Sequence, residues 1–209
     1  MNRKIESNGR QRIYDALCKF GKDRPVEKVT VQKIIAEAEI SRSTFYYYFD
    51  GVTDALEQMM SDFLGEYMQL FDIPQGETDV LLEKDFLLEQ EKNICSLIQR
   101  RKEYLDVFLN PYNQKNFRQR FWNAFQEYAQ TYDLVFVNQT GAHSIKRGIA
   151  YDYCLRVNFA MWFELLSFWR ERDFHETAED FVEIFNTMYN GAIGFENSKP
   201  RQTQESMAQ

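Results

Sequence analysis

The chain has 209 residues, 44% of them hydrophobic and 27% charged, and a formal net charge of −7. This composition is ordinary for a globular protein, and the length suffices for one large core or two small ones. There is no N-terminal apolar run and no segment that stays apolar over ~18 residues, which argues against a membrane protein and predicts a cytoplasmic one.

Helix breakers are few, and they lie between periodic segments. Only four Pro and nine Gly occur, and Pro25, Pro74, Pro111 and Pro200 all fall between segments of helical periodicity. Because proline interrupts helices, this placement predicts an all-α chain of about nine helices.

The first helix is predicted over 10–21, after a polar stretch, 1–9, that is expected to form a loose arm. Its apolar residues share one face at helical spacing: Ile13, Ala16, Leu17 and Phe20. Gly21 can end the helix, and Val26 and Val29 are expected to anchor the following connector in the core.

Residues 30–49 predict two short helices with a tight joint between them. Thr30 and Ser41 each precede one of these helices, where a hydroxyl can cap free backbone N–H groups. The apolar face of the first helix is formed by residues at helical spacing: Val31, Ile34, Ile35 and Ala38. Ile40 is expected to pack at the joint.

The second helix of this pair has an apolar side and a polar side. Phe45 and Phe49 lie four residues apart and therefore share the buried side. The other residues fall near the exposed side: Arg42, Ser43, Thr44, Tyr46, Tyr47 and, less clearly, Tyr48. Small polar groups and an arginine at a helix start, with phenol hydroxyls one turn later, suit a groove lined by phosphates and base edges. We interpret the pair as a helix-turn-helix that reads duplex DNA.

Core packing is the competing interpretation of the aromatic run at 45–49. It holds for Phe45 and Phe49, but three consecutive tyrosines cannot all be buried on one helix, so a function is favoured for Tyr46 and Tyr47. Arg42 could be an ordinary solvated charge, although its position at the helix start favours a DNA contact.

The domain boundary is placed near Val52, where the helical pattern is broken. This division gives a helix-turn-helix DNA-binding domain at 1–52, a helical ligand-binding and dimerisation domain at 53–195, and a disordered tail at 196–209. Thr53 is predicted to cap a fourth helix that links the domains and runs to about residue 71. Its apolar residues are Leu56, Met59, Met60, Phe63, Leu64 and Tyr67.

Five further helices are predicted, over 78–98, 103–110, 113–132, 144–172 and 176–194. The apolar run within 133–141 could be a strand, but it shows no pairing partner, so it is interpreted as a helix end and a loop. The helix over 144–172 carries two apolar sets, one of Ile149, Tyr153, Val157, Ala160, Phe163, Leu166 and Trp169, the other of Phe159, Trp162, Leu165 and Phe168. A helix apolar around most of its circumference is expected to be buried on both sides, which favours a dimer through the last two long helices.

Seven aromatic residues of the body are candidates for lining a cavity that holds an apolar or aromatic ligand: Phe117, Phe121, Trp122, Phe125, Phe159, Trp162 and Phe163. Core packing or the dimer seam is the simpler interpretation for most of them.

The net charge is divided unequally along the chain. Residues 1–50 carry ten Lys/Arg and seven Asp/Glu, a net of +3, and the other 159 carry 15 and 25, a net of −10, which together give −7. An acidic body and a basic end would orient the approach to DNA, so the overall acidity does not exclude DNA binding.

Motifs for other chemistry are missing. The chain has no Gly-rich phosphate loop, nucleophile elbow or metal-ligand spacing, so no enzyme, cofactor or metal site is predicted. His143 and His175 stand alone, which makes a metal site improbable. The three cysteines, without a CxxC motif, are expected to be reduced and buried.

The order of features over 10–56 resembles the DNA-binding region of the tetracycline-repressor (TetR) family of transcriptional regulators. The resemblance is carried by a helix ending near Gly21, by Val29-Thr30 opening the next helix, by Ile34, Ala38, Ile40 and Ser41, and by Thr44-Phe45-Tyr46 with Phe49. The remainder is similar only in being helical, with a long aromatic penultimate helix.

This resemblance implies a homodimer that represses at a palindromic operator and is released by a small-molecule effector, which the sequence leaves unidentified. Thr30 and Tyr46 would hold phosphates, and Ser41, Arg42, Ser43, Thr44 and Tyr47 would lie at bases or backbone. Glu39 stands where the family usually has Gly, so either it adopts positive φ or the turn differs. Val52 stands where the family often has a phosphate-binding Lys.

Two other classes of function stay open. One is a DNA-binding regulator of the same fold that responds to a protein partner or to nothing. The other is a helical enzyme or scaffold with an accidental helix-turn-helix, which binding to duplex DNA at varied salt concentrations would expose.

Overall fold

A computed structural model describes residues 3–70, 84–131, 136–137, 144–145 and 148–190. Within these ranges the chain forms nine α-helices: α1 (Arg3–Gly21), α2 (Val31–Glu37), α3 (Arg42–Tyr48), α4 (Val52–Gln69), α5 (Lys84–Arg100), α6 (Lys102–Phe108), α7 (Gln114–Thr131), α8 (Ile149–Glu171) and α9 (Ala178–Asn190). A single 3₁₀ turn, Val26–Lys28, joins α1 to α2 in this part of the chain. The all-α class predicted from the sequence is confirmed.

The first three helices enclose a small apolar core. Its fully buried members come from every element of the head: Ile13, Leu17, Val26, Ile34 and Phe45. The predicted anchoring of the connector is confirmed, since Val26 and Val29 are both buried.

The prediction of a loose arm before residue 10 is wrong for the described residues, because α1 already begins at Arg3. Glycine inside a helix costs only about 1 kcal/mol, so Gly9 does not by itself stop the helix. The Tyr48 ring lies against this glycine, and a β-carbon added to Gly9 would meet Tyr48 Cε2 at 3.0 Å. This contact also explains why Tyr48, unlike Tyr46 and Tyr47, is half-buried.

α4 connects the head to the body and buries all six apolar residues predicted for it. Its predicted start is wrong: the helix begins at Val52, with Gly51 at the N-cap, and Thr53 caps nothing. The Asp54 carboxylate instead accepts a hydrogen bond from the backbone N–H of Asp50, at 2.9 Å. Val52 is 8% exposed, so its packing into the core accounts for the earlier start.

The interpretation of 133–141 as a helix end and loop is also wrong in part. Strands β1 (Phe136–Val137) and β2 (Ser144–Ile145) pair antiparallel, with Phe136 opposite Ile145. The periodicity of the next segment assigned the pairing partner, residues 144 and 145, to the following helix, which in fact begins at Ile149. The predicted helix start at Thr78 and the tail at 196–209 lie outside the described residues.

The body is built around α7, which packs against both α4 and α8, while α5 packs against α9. Aromatic rings form much of this core. Phe108 and Phe117 stack at a centroid distance of 4.9 Å, and Phe121 meets Tyr67 edge-on at 5.0 Å. Such ring pairs add about 0.5–1.5 kcal/mol each beyond the apolar area they bury.

α8 is buried on one side only. Tyr151, Leu155, Phe159, Phe163, Leu166 and Trp169 are buried, whereas Ile149, Tyr153 and Val157 are 79%, 70% and 63% exposed. Within a single chain only one of the two apolar sides is covered, so the expected covering of the other side stays a prediction about the dimer. Each of the two predicted sets contains both kinds of residue. Phe163 is fully buried although Ile149 of the same set is exposed, and Phe168 is exposed although Phe159 of the other set is buried.

The head and the body are joined by a buried polar contact at the C-terminal end of α1. The Asn110 side chain, 2% exposed, donates from Nδ2 to the carbonyl oxygen of Gly21 at 2.6 Å. Its Oδ1 accepts the backbone N–H groups of Tyr112 and Asn113 at 2.9 and 3.0 Å. A helix end leaves free carbonyls, and Asn110 satisfies one of these from the body.

Two more contacts join α6 to α1. Gln11 Nε2 donates to the phenol oxygen of Tyr104 at 2.7 Å, and the Val107 side chain lies beside Gly21. A β-carbon at Gly21 would come within 3.1 Å of Val107, so the small residue permits the close approach. None of the described helices is both long and apolar enough to cross a bilayer.

Candidate nucleic-acid interface

Both helices of the predicted helix-turn-helix start with the side-chain caps expected from the sequence. Thr30 Oγ1 accepts the backbone N–H of Lys33 at 3.3 Å, and Ser41 Oγ accepts that of Thr44 at 3.0 Å. Each cap satisfies a donor that the first turn of a helix leaves free, typically adding about 1 kcal/mol. The caps therefore fix where α2 and α3 begin.

The hydroxyls at the start of α3 form a small cluster. Ser41 Oγ lies 2.8 Å from Ser43 Oγ and 2.7 Å from Thr44 Oγ1. Ser41 and Ser43 are exposed and Thr44 is half-buried, so the first two can exchange water for an outside partner with little rearrangement. Ser41 has a structural role as a cap in addition to its predicted place at the DNA.

The turn between α2 and α3 is a helix C-terminal motif with a non-glycine residue in the left-handed position. Glu39 has φ 48°, and the hydrogen bonds of Ile40 N–H to Ile35 O and of Glu39 N–H to Ala36 O close the end of α2. The first of the two alternatives for this turn, positive φ at Glu39, is therefore the one observed.

The Glu39 side chain is held by the first helix. Arg12 Nη2 lies 2.9 Å from Glu39 Oε2, with the Glu39 side chain 82% exposed. Exposed ion pairs of this kind contribute at most about 1 kcal/mol, which is comparable to the cost of the left-handed backbone. The pair thus tethers the turn to α1 without adding much net stability.

Two phenylalanines fix the orientation of α3. Phe45 and Phe49 are buried as predicted, and the Phe49 ring lies 5.7 Å from the Tyr14 ring of α1. With this side anchored, Tyr46 and Tyr47 point outward and are 45% and 70% exposed. The Arg42 guanidinium lies 5.5 Å from the centre of the Tyr46 ring, so these two groups share one outer surface.

The residues predicted to face DNA lie on two elements, most of them on α3 and one, Thr30, at the start of α2. Arg42, Ser43, Tyr46 and Tyr47 lie on the exposed side of α3, and Thr30 is exposed at the start of α2. We define this surface, Thr30 with Arg42 to Tyr47 apart from Phe45, as the recognition surface.

Sequence reasoning passed over two cations beside Thr30. Lys28 and Lys33 are exposed and form no ion pair with the described residues. Lys33 is in the first turn of α2, and its own N–H donates to Thr30. The signal was present as a basic residue on each side of a helix N-cap, and both lysines are added as phosphate-contact candidates.

An open groove borders the recognition surface, with a volume of about 360 Å³. It lies between α1, α3 and α4 and is lined by Arg10, Tyr47, Tyr48, Phe49, Asp54 and Gln58.

Two side chains of α1 bond one carboxylate of α4. Arg10 forms an ion pair with Asp62 at 2.8 Å, and the Tyr14 phenol donates a hydrogen bond to it at 2.7 Å. Burial raises the pKa of the Tyr14 phenol, with the hydrogen bond to Asp62 acting in the same direction. The phenol therefore stays protonated and keeps donating to Asp62.

Six of the seven ligand-pocket candidates lie together between α7 and α8, and the seventh lies apart. Neighbouring ring pairs among the six include Trp122–Phe159 at 5.1 Å and Phe117–Phe121 at 5.7 Å. Trp162 instead faces α9, with its ring 5.1 Å from that of Phe185. The rings of Phe117, Phe121, Trp122, Phe159 and Phe163 are buried, and those of Phe125 and Trp162 are half-buried.

Chemically reactive groups are poorly placed in the described part of the chain. Burial raises the pKa of the Cys95 thiol to about 12 and also raises that of Cys18, so both stay protonated. All three cysteines are free, and Cys154 is half-buried where burial was expected. The described residues include no group of three His, Cys, Asp or Glu that could hold a metal ion.

Comparison with known proteins agrees with this geometry. Residues 13–56 match the family model described as bacterial regulatory proteins of the tetR family, which spans α1 to the first turns of α4. A search of curated proteins finds none with a significant sequence match.

Three solved structures illustrate the likeness of fold over nearly the whole chain. A putative TetR-family transcriptional regulator from Syntrophomonas wolfei is 16% identical with a TM-score of 0.62, covering 94% of this chain and 100% of its own. A TetR transcriptional regulator from Streptococcus agalactiae is 21% identical with a TM-score of 0.53, covering 88% and 95%. The fatty acid degradation regulator FadR from Bacillus halodurans is 13% identical with a TM-score of 0.57, covering 92% and 98%.

The sequence match therefore lies in the head, and the likeness of fold extends over nearly the whole chain. Residues 13–56 match the tetR family model, and the chain has a fold similar to that of solved TetR-family regulators.

Proposed function

We propose that the protein is a repressor that binds a palindromic operator as a homodimer and is released by a small molecule bound in the helical body. In this proposal residues 1–52 are the DNA-binding unit and residues 53–195 are the ligand-binding and dimerisation unit. The observation that carries it is the recognition surface: a capped helix whose buried Phe45 and Phe49 leave an arginine and two phenols exposed.

The chemistry of this surface suits a major groove. The Arg42 guanidinium can donate two hydrogen bonds to a guanine edge, and hydroxyls of Ser43, Tyr46 and Tyr47 can bond phosphates or bases. Residues 1–50 have a net charge of +3, which attracts the duplex, while the net −10 of the remaining chain repels it. The head would therefore meet DNA first.

Exposed apolar side chains on the last two helices support the homodimer. Ile149, Tyr153 and Val157 lie at four-residue spacing on one side of α8, and Phe168 of α8 and Ile184 of α9 are 57% and 43% exposed. A continuous exposed apolar row of this size marks an interaction surface. A second copy covering it would place two α3 helices on one duplex, about one DNA turn (~34–36 Å) apart.

DNA binding is tested with a fluorescent palindromic duplex taken from the region beside the gene, titrated at rising salt concentrations. We expect the affinity to fall steeply with salt, because binding releases counterions from the contacted phosphates. Absence of binding, or a salt-independent affinity, would contradict the proposal and favour an accidental helix-turn-helix.

Effector control is tested separately by a thermal-shift screen followed by operator binding. An effector that prefers the released state must raise the melting temperature and also weaken operator binding. If every stabilising ligand leaves operator binding unchanged, the alternative of a regulator controlled by a protein partner, or by nothing, gains support.

The dimer is tested by Val157→Asp, which introduces a charge into the exposed apolar row. Val157 is 63% exposed in the single chain, so the substitution should leave the folded subunit intact and prevent its association. Analytical ultracentrifugation at micromolar concentration should show a dimer for the wild type and a monomer for the variant. A monomeric wild type at this concentration would contradict the proposed dimer.

A further inference from the structure

Two arginines of the body lie over aromatic rings on the outer side of the α7–α8 contact. The Arg118 Cζ atom is 4.7 Å from the centre of the Phe163 ring and 5.8 Å from that of Phe159. The Arg156 Cζ atom is 3.9 Å from the centre of the Trp122 ring. Because the Trp122 and Phe159 rings are themselves 5.1 Å apart, the two guanidinium groups cover one continuous surface of rings.

These two arginines differ from most others of the body in lacking a carboxylate. Ion pairs occupy Arg101 with Glu66, Arg120 with Glu57, Arg170 with Asp106 and Arg172 with Glu176. Arg118 and Arg156 form no ion pair with the described residues, although residues 51–209 have a net charge of −10. Their contacts are with ring faces, which leave the N–H edges of a guanidinium free to bind an anion.

The rings beneath them are nearly buried, and the arginine side chains that lie over them are exposed. Trp122 and Phe159 are 6% and 4% exposed, while Arg118 and Arg156 are themselves exposed residues. An exposed cation over a ring is a weak interaction, so the arginines can swing outward without a change in the backbone. Phe125, half-buried beside Trp122 and Phe159, lies at the margin of the same surface.

We propose that Arg118 and Arg156, with Trp122, Phe125, Phe159 and Phe163, form a binding site for an amphipathic anion. Such a ligand is a small molecule with a carboxylate or phosphate head and an apolar tail. Its head would bind the N–H edges of the arginines, and its tail would replace the guanidinium groups on the rings. The suggestion that this ligand is the effector rests on the proposed function. The binding site itself does not, and it is tested without DNA.

Isothermal titration calorimetry with decanoate, below its micelle concentration, tests the site on the full chain. We expect decanoate to bind at least tenfold more tightly than decanol, which lacks the charge, and than acetate, which lacks the tail. Decyl phosphate serves as the second head group. Tighter binding of either anion supports the site and identifies the head that it prefers. Quenching of tryptophan fluorescence that is lost in Trp122→Phe would locate the ligand on these rings.

The double variant R118Q/R156Q is expected to lose at least tenfold in decanoate affinity, and Arg→Lys at both positions should retain part of it. Arg100→Gln is the matched control, because Arg100 is an exposed arginine of the same acidic body that lies over no ring among the described contacts. The Lys variants keep the charge, so they decide the question if the Gln variant does not fold.

Three results would overturn the site. Decanol could bind as tightly as decanoate, R118Q/R156Q could bind decanoate like the wild type, or R118Q/R156Q could be a monomer where the wild type is a dimer. The last would assign the arginines to the subunit contact. Failure of the two proposals is distinguishable. If decanoate binds through the arginines yet leaves operator affinity unchanged, the site stands and its role as the effector site fails. If decanoate does not bind while another ligand releases the operator, the proposed function stands and the anion site fails.

Discussion

The head and the body expose two different kinds of surface. On α3 the exposed side chains of Arg42, Tyr46 and Tyr47 all end in polar atoms, whereas on α8 Ile149 and Val157 are exposed without any. Polar tips can exchange water for phosphates and base edges, while an aliphatic side chain gains free energy only when an apolar surface covers it. The contrast supports a hydrated anionic partner for the head and an apolar one, a second copy, for the body.

The two regions also differ in how their positions are held. Hydroxyl caps and the buried Phe45 hold the short helices of the head, while stacked rings hold the long helices of the body. The contact between the regions is polar and buried, through Asn110 and Gly21. Asn110 follows α6 closely along the chain, so a movement of α6 would be passed to the end of α1, as the proposed ligand control needs.

The largest effect is expected from Phe45→Ala, which should destabilise the head and leave the body unchanged. Phe45 is fully buried, and removing such a ring costs about 3–5 kcal/mol in transfer and cavity terms. We expect loss of DNA binding and a lower unfolding midpoint of the head, with the dimer retained in sedimentation. Tyr47→Ala is the control, since a 70% exposed side chain should change the free energy of unfolding by less than about 0.5 kcal/mol.

Asn110→Ala tests the contact between the regions. The substitution removes the side-chain partner of the Gly21 carbonyl and of the Tyr112 N–H, while the Asn113 N–H keeps its bond to the backbone carbonyl of residue 110. Each buried unsatisfied group costs about 1–3 kcal/mol. We expect urea denaturation to show a loss of about 2–3 kcal/mol. Asn116→Ala, at an exposed position of α7, should be nearly neutral, and an equal loss in both variants would remove the special role of Asn110.

Arg42→Ala tests the recognition surface itself. If Arg42 reads a base, the preference for the operator over random duplex should fall by ~1–3 kcal/mol in competitive binding. Tyr46→Phe removes a hydroxyl expected to bond phosphate, and it should weaken binding to both duplexes about equally. An equal loss on both duplexes for Arg42→Ala would reassign it to a phosphate contact.

The smallest effect concerns the turn of the head. Glu39→Gly and Glu39→Ala both remove the ion pair with Arg12, but only the alanine retains a side chain at φ 48°. The glycine variant should therefore be more stable than the alanine variant by about 1 kcal/mol. Equal stabilities by thermal denaturation would mean that the left-handed backbone costs little here.

Local chemistry made much of the head predictable. Thr30 and Ser41 are caps because a hydroxyl before an apolar periodic segment has a backbone donor within reach, whatever the rest of the chain does. The spacing of Phe45 and Phe49 likewise determines their shared face. The sequence also indicated the all-α class, which follows from short-range backbone preferences. The unusual residue at Glu39 was indicated by the family resemblance, since the family usually has Gly at that position.

Contacts between distant segments could not be read in the same way. Pattern analysis treated Ile149, Val157 and Phe163 as one apolar set, but Phe163 is buried while the other two are exposed. Which side of α8 is covered depends on where α7 packs against it, and helical periodicity carries no such information. The β1–β2 pairing was missed for a related reason, because each two-residue strand is defined only by the other.

By itself the sequence determined where α2 and α3 begin, which residues anchor them and which side chains the recognition surface offers, since these depend on groups within a few residues of each other. Tertiary structure alone decided that Asn110 ties the body to Gly21, 89 positions earlier. It also decided that Arg118 and Arg156, from two helices, cover neighbouring rings. Such arrangements depend on how whole helices pack, because the free energy that fixes them comes from area buried between elements rather than within one.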